Sequence, residues 1–182
     1  MRKKDEGLRG ELLGQARRIA AGRGLGAVNI RSIAQGAGVS PGTVYNYFAG
    51  KEEILLALTE EYWQEALNGL EEALGEGPFW RQAGQAFAFL RGRMEPAAKE
   101  LMAGLRGSGR EGKARMASMQ GALQEVLLRR LRADATLRPG VWDEGFTPEK
   151  FAHFVMTHMT AQLRAGEGDA AFLTEVIRRA LY

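Results

Sequence analysis

An all-α fold is predicted for this chain, and three observations predict it. Apolar residues recur at helical spacing along almost its whole length. Glycines and prolines fall between those runs, where helices stop and start. No stretch joins period-two alternation to turn signals, so no sheet is expected. The pattern resolves into about nine helices. Three form a small N-terminal helix-turn-helix module over 1–50, and the rest form a helical bundle domain over 51–182.

Leu8, Leu12, Ala16 and Ile19 give the first helix its apolar stripe, and Gly22, Gly24 and Gly26 end it. Asn29 suits the N-cap of a short second helix, Ile30 to Ala37, because its side-chain oxygen can take an unpaired N–H. Ile33 and Ala37 lie four apart on the inner face. Gly38 supplies a turn at positive φ. Ser40 then Pro41 starts the third helix: the serine caps, and a proline at the first helical position loses no needed donor. The long fourth helix starts near Lys51. Ile54, Leu55, Leu58, Tyr62, Ala66, Leu70 and Leu74 carry its apolar face to about Gly75. Pro78 opens a fifth helix, to about Gly92. Further helices are expected over 95–107 and 110–133, with a loop at RPGVWDEGFT, 138–147. Thr147-Pro148 repeats the cap-then-proline start for a helix to about Ala165. Gly166-Glu167-Gly168 breaks it, and Asp169 is the expected cap of the last helix.

The absence of cysteine excludes disulfides, thiolate metal sites and a cysteine nucleophile, and it fits a reducing cytoplasm. No apolar run approaches the roughly 18 residues that span a bilayer. The opening MRKKDEGLRG is basic, but no apolar signal-type segment follows. A cytoplasmic protein without a membrane partner is expected. Charge is unevenly placed. Residues 1–51 hold nine basic and three acidic residues, a balance of +6, and the remaining 16 basic and 19 acidic residues leave −3. A basic N-terminal third on an acidic body suits a module that binds a polyanion.

Enzyme signatures are missing. His153 and His158, five apart on a helix, diverge by about 140° and do not form the i, i+4 pair that grips a metal. Gly104-Leu105-Arg106-Gly107-Ser108-Gly109 follows a helix rather than a strand and lacks the lysine of a phosphate-binding loop. No catalytic residue, metal site or cofactor is expected.

The third helix carries the chemistry. Wound at about 100° per residue over 41–49, it places Val44 and Phe48 on one face, towards Ile33, Ala37 and Val39. Gly42, Tyr45, Asn46 and Ala49 take the opposite face, with Thr43 and Tyr47 on a flank. A small domain gains nothing by aiming that much amide and aromatic surface at water. A duplex major groove about 12 Å wide accepts one helix, read through groups near its N-terminal end. Gly42 permits close approach, Asn46 suits an adenine edge or a phosphate, and the tyrosines offer hydroxyls and ring surface. Lys51 and the helix N-terminus attract phosphate.

The stretch NIRSIAQGAGVSPGTVYNYFAGKEEIL, residues 29–55, resembles the DNA-binding signature of the tetracycline-repressor (TetR) family of bacterial transcriptional regulators. The matching residues are Ile33-Ala34, Ala37-Gly38-Val39-Ser40, Gly42-Thr43-Val44-Tyr45, Phe48 and Lys51-Glu52. The likeness covers about residues 8–55; beyond them the chain agrees with the family in helix count, length and placement. Asn29 stands where the family usually has Thr or Ser, and Tyr47 where His is common. The resemblance implies that Arg31 contacts a base or phosphate and that Ser40, Thr43, Tyr45, Tyr47 and Lys51 touch phosphates. It implies that Pro41, Gly42, Tyr45 and Asn46 approach base edges.

The resemblance also implies a helical body that binds a small molecule and forms a homodimer. Phe151, Phe154, Val155, His158, Met159, Gln162 and Leu163 make a wide stripe on the penultimate helix. Phe172, Leu173, Val176, Ile177, Ala180 and Leu181 do so on the last. The same two helices of a second copy would complete a four-helix interface. Its expected contacts are Phe151, Phe154, Val155, His158, Gln162, Phe172, Val176 and Ile177. An apolar pocket is expected between the fourth helix and those after it, lined by Trp63, Phe87, Met94, Met102, Met116, Met119 and Met156. The expected function is a homodimeric repressor of transcription on a palindromic double-stranded operator, released by a small apolar or aromatic effector. The alternative is a ligand- or partner-binding helical dimer whose DNA module is vestigial or needs a second protein.

Overall fold

The computed structural model describes residues 5–93, 109–166 and 168–182. The expected helix over 95–107, the glycine-rich stretch as far as Ser108, and the pocket candidates Met94 and Met102 lie outside the described residues. Those described form eight α-helices, one 3-10 turn (Leu25–Ala27) and no strand. The helices are α1 Glu6–Arg23, α2 Ile30–Ala37, α3 Pro41–Tyr45, α4 Lys51–Ala73, α5 Phe79–Arg93, α6 Gly109–Arg132, α7 Pro148–Ala165 and α8 Ala171–Leu181. The chain divides into two compact units. The first takes residues up to Trp63 and the start of α6, and the second starts at Gln64 and takes the rest. That division falls inside α4, whereas residue 51 marks only the start of that helix.

The first unit is built on one apolar cluster. Leu12, Leu13, Ala16 and Ile19 of α1 meet Ile30, Ile33 and Ala34 of α2, with Val44, Phe48, Ile54 and Leu58 closing it. Burying each large side chain contributes about 1.5–3 kcal/mol, which outweighs the poor intrinsic stability of helices this short. Capping sets their limits. Asp5 Oδ1 accepts the N–H groups of Gly7 at 2.8 Å and Leu8 at 3.4 Å. Asn29 and Ser32 form a reciprocal capping box: Ser32 N–H donates to Asn29 Oδ1 at 2.9 Å, and Asn29 N–H to Ser32 Oγ at 3.2 Å. Gly38 ends α2 in the left-handed region, φ 69°, a conformation that costs a residue with a Cβ. Ser40 caps α3 and Pro41 takes its first turn.

The third helix is shorter than its expected span of 41–49. It stops at Tyr45, because Asn46 N–H splits between the carbonyls of Gly42 and Thr43 and Tyr47 N–H turns to Val44 O at 3.0 Å. These tighter bonds close the helix as a 3-10-like turn. Ala49 is therefore not helical, and its N–H donates to Glu53 Oε2 at 2.6 Å. Phe48 still reaches the core, 1% exposed.

In the second unit α5 packs on α7 and α8. Gly84 makes this close: a Cβ there would stand 3.2 Å from Thr174 Cγ2. Thr147 caps α7, and Gly166 ends it at φ 72°. Asp169 lies one residue before the position expected of it. Ala170 is the N-cap of α8, and Asp169 Oδ1 accepts the Ala171 N–H at 2.9 Å. A polar latch joins distant parts of this unit. Asp134 accepts from Phe79 N–H at 2.7 Å, from Thr136 N–H at 2.8 Å and from the Tyr182 hydroxyl. Arg138 N–H donates to Leu181 O at 2.8 Å, holding the same corner.

Candidate nucleic-acid interface

The core of the first unit decides which side of α3 meets solvent. Val44 is wholly buried, which turns Tyr45 outwards at 58% exposure. Arg31, Ser40, Pro41, Gly42, Tyr45 and Asn46 are exposed; Thr43, Tyr47 and Lys51 are partly so. Every expected contact residue is thus at least partly accessible. Ser40 Oγ accepts Thr43 N–H at 3.1 Å and lies 2.9 Å from Thr43 Oγ1, so the two hydroxyls share a proton at the helix start. A Cβ at Gly42 would meet only Ser40 Oγ, at an ordinary 3.6 Å. The fold itself therefore does not require glycine there. Its missing side chain leaves the backbone of α3 open to close approach, beside an outward phenol and an outward amide.

Two cations frame this surface. Lys51 Nζ donates to Gly26 O at 3.4 Å, which occupies one of its three protons. The Arg9 guanidinium lies over the Phe48 ring, 5.5 Å from its centre. One contact escapes sequence reasoning: the Tyr47 hydroxyl accepts the Asp5 N–H at 3.3 Å, across 42 residues. Helical periodicity carries no signal for a pairing so distant.

The body candidates divide. Phe151, Val155 and Ile177 belong to the interior of the second unit, at most 5% exposed, so they support rather than form an outer face. Phe154 at 44% and Phe172 at 72% are its exposed large rings. His158, Gln162 and Val176 are partly exposed. Phe154 ends a run of ring contacts: Trp142 to Phe146 at 5.4 Å, Phe146 to Phe151 at 5.3 Å, Phe151 to Phe154 at 5.9 Å, then His158 at 6.2 Å. Of the expected pocket residues, Phe87, Met119 and Met156 are buried, and Met116 and Trp63 partly so. An open concavity of about 440 Å³ is lined by Gly84, Phe87, Ala88, Arg91, Gly92, Asp169 and Ala170, and it takes only Phe87 from that set. No helix among the described residues is long and apolar enough to cross a membrane.

An all-helical chain whose short, glycine-bearing third helix stands outward from a capped three-helix core is a helix-turn-helix protein. Residues 12–58 match the family model described as bacterial regulatory proteins, tetR family. Through this helix-turn-helix the chain is a member of the tetR family. Over 47 residues it is 51% identical to the HTH-type transcriptional repressor KstR2 of Mycobacterium tuberculosis, which is 26% of this chain. The match spans about a quarter, 24%, of the length of that relative. The fold is similar to that of the fatty acid degradation regulator FadR from Bacillus halodurans: TM-score 0.62, 16% identity, 97% of this chain and 95% of that one. It is also similar to the transcriptional regulator FadR from Bacillus subtilis in complex with stearoyl-CoA: TM-score 0.58, 19% identity, 93% and 95% covered.

Proposed function

We propose that the protein is a sequence-specific DNA-binding repressor of transcription that acts as a homodimer on a palindromic operator in the cytoplasm, without catalytic activity. One observation carries the reading: the outer face of α3 presents Gly42, Tyr45 and Asn46 to solvent while Val44 and Phe48 hold its other face in the core. The match to a repressor's helix-turn-helix supports it. Ser40, Thr43, Tyr47 and Lys51 supply phosphate contacts; Arg31, Pro41, Gly42, Tyr45 and Asn46 lie at base edges. Phe154 and Phe172, with His158, Gln162 and Val176 beside them, form the self-association face.

A small apolar or aromatic effector releases the operator. The buried Phe87, Met119 and Met156 favour such a ligand, as does the stearoyl-CoA bound by one structural neighbour. By linkage that effector weakens operator binding by the factor by which the operator weakens effector binding. In vitro selection of random duplex by the full chain at two salt concentrations tests the reading. Recovery of one palindromic site, with affinity falling steeply in salt, is the expected result. Recovery of no preferred sequence at either salt shifts the assignment to a ligand- or partner-binding dimer whose helix-turn-helix is vestigial.

A further inference from the structure

The Tyr47 contact points to a second place where the first unit meets DNA. Asp5 is the N-cap of α1, and its side chain is already engaged by Gly7 and Leu8. Its backbone N–H donates to the Tyr47 hydroxyl at 3.3 Å. That bond pins the entry to α1 against the turn that follows the recognition helix. Asp5 itself is extended, φ −73° and ψ 108°, so α1 does not reach back beyond Glu6. Immediately ahead of Asp5 the sequence places Arg2, Lys3 and Lys4, three consecutive cations. Arg9, one turn into α1, holds its guanidinium over Phe48, so a fourth cation stands on the same edge. A phenol oxygen that accepts from Asp5 keeps its own proton to donate. Tyr47 can therefore tie down Asp5 and contact a phosphate at once, whereas a phenylalanine there could do neither.

We propose that Tyr47 fixes Asp5 against the end of the recognition helix, so that Arg2, Lys3 and Lys4 neutralise duplex phosphates along that edge. This rests on the duplex-binding reading and adds a contact to it. Three residues reach about 10 Å when fully extended. A helical turn of duplex is about 34 Å, so the segment stays on phosphates beside those met by α3. Its contribution is electrostatic and blind to sequence.

The experiment compares the full chain with its R2A/K3A/K4A variant on two duplexes, one recovered by selection and one of random sequence and equal length. Each neutralised phosphate contributes about 0.9 to the slope of log affinity against log salt. The variant is expected to lose up to about 2.7 of that slope on both duplexes, so its affinity loss between about 50 and 200 mM salt shrinks by roughly 40-fold. Site preference stays unchanged. Tyr47→Phe, combined with the triple variant, tests the anchor. The two effects on affinity are expected to be less than additive, because loss of the Tyr47 hydroxyl releases the segment that the triple variant discharges. An unchanged slope, or effects that simply add, overturns the proposal. Failure of the duplex-binding reading shows differently: the unaltered chain would then prefer no sequence, while the slope on random duplex still decides whether residues 2–4 touch phosphate.

Discussion

Both units expose aromatic rings, and the rings differ in kind. In the first, Tyr45 stands 58% exposed among Ser40, Thr43 and Asn46. In the second, Phe154 and Phe172 stand out with no polar atom of their own. A phenol set among hydroxyls and an amide suits phosphates and base edges. A bare ring suits another apolar surface. Exposure marks both faces as places of contact, and the polar company of each ring separates a nucleic-acid face from a self-association face.

The comparison breaks most sharply where an outward ring is exchanged for an inward one. Phe48→Ala removes a ring that is 1% exposed, and it is expected to cost about 3–5 kcal/mol in urea unfolding and to abolish duplex binding with it. Phe172→Ala is expected to change the unfolding free energy of the isolated chain by less than about 0.5 kcal/mol. Combined with Phe154→Ala it is expected to raise the dimer dissociation constant at least 30-fold, roughly 2 kcal/mol, in sedimentation equilibrium. An unaltered dissociation constant would move the self-association face elsewhere. Arg31→Ala is expected to weaken binding to the selected duplex by about 1–3 kcal/mol and to relax preference at one base position. A loss equal on all sequences would reassign Arg31 to phosphate.

What was legible in the sequence follows from the range of the forces involved. Caps act within a turn, so Asn29, Ser40-Pro41, Thr147-Pro148 and Gly166 mark their helix ends. The inner face of α3 was legible too, since Val44 and Phe48 lie four apart. The early end of α3 was not, because a residue count at a fixed 100° carries no sign of the bonds that tighten the turn at Asn46 and Tyr47. On α7 a wide apolar stripe concealed which half is interior: Phe151 is 5% exposed and Phe154 is 44% exposed, three residues apart, because α5 and α8 cover only part of it. The Tyr47 to Asp5 bond and the Asp134 latch join residues 42, 48 and 55 apart in the chain. Nothing local announces them.

That latch also offers the mildest test, through pH, and it touches the second unit alone. Burial raises the Asp134 carboxyl, but bonds from Thr136, Tyr182 and Phe79 outweigh it and hold the pKa below its ordinary 3.8. A carboxylate depressed on folding adds stability above the unfolded value and loses it as pH falls through the folded one. Burial and the neighbouring Asp134 carboxylate push the Tyr182 phenol up to about 12 from 10.0. A phenol kept neutral adds stability below the unfolded value and loses it as pH rises from 10.0 through about 12. Tyr182→Phe removes one bond to Asp134 yet leaves Phe79 N–H paired with that carboxylate at 2.7 Å, so no donor is orphaned. The expected cost near neutral pH is about 1 kcal/mol. Tyr182→Phe is also expected to flatten the alkaline decline and to start the acid decline at higher pH, since Asp134 has lost a donor. Urea midpoints between about pH 3 and about pH 11 read both limbs. If the variant tracks the unaltered protein on the alkaline side, some other group carries that limb, and the latch is a contact without thermodynamic weight.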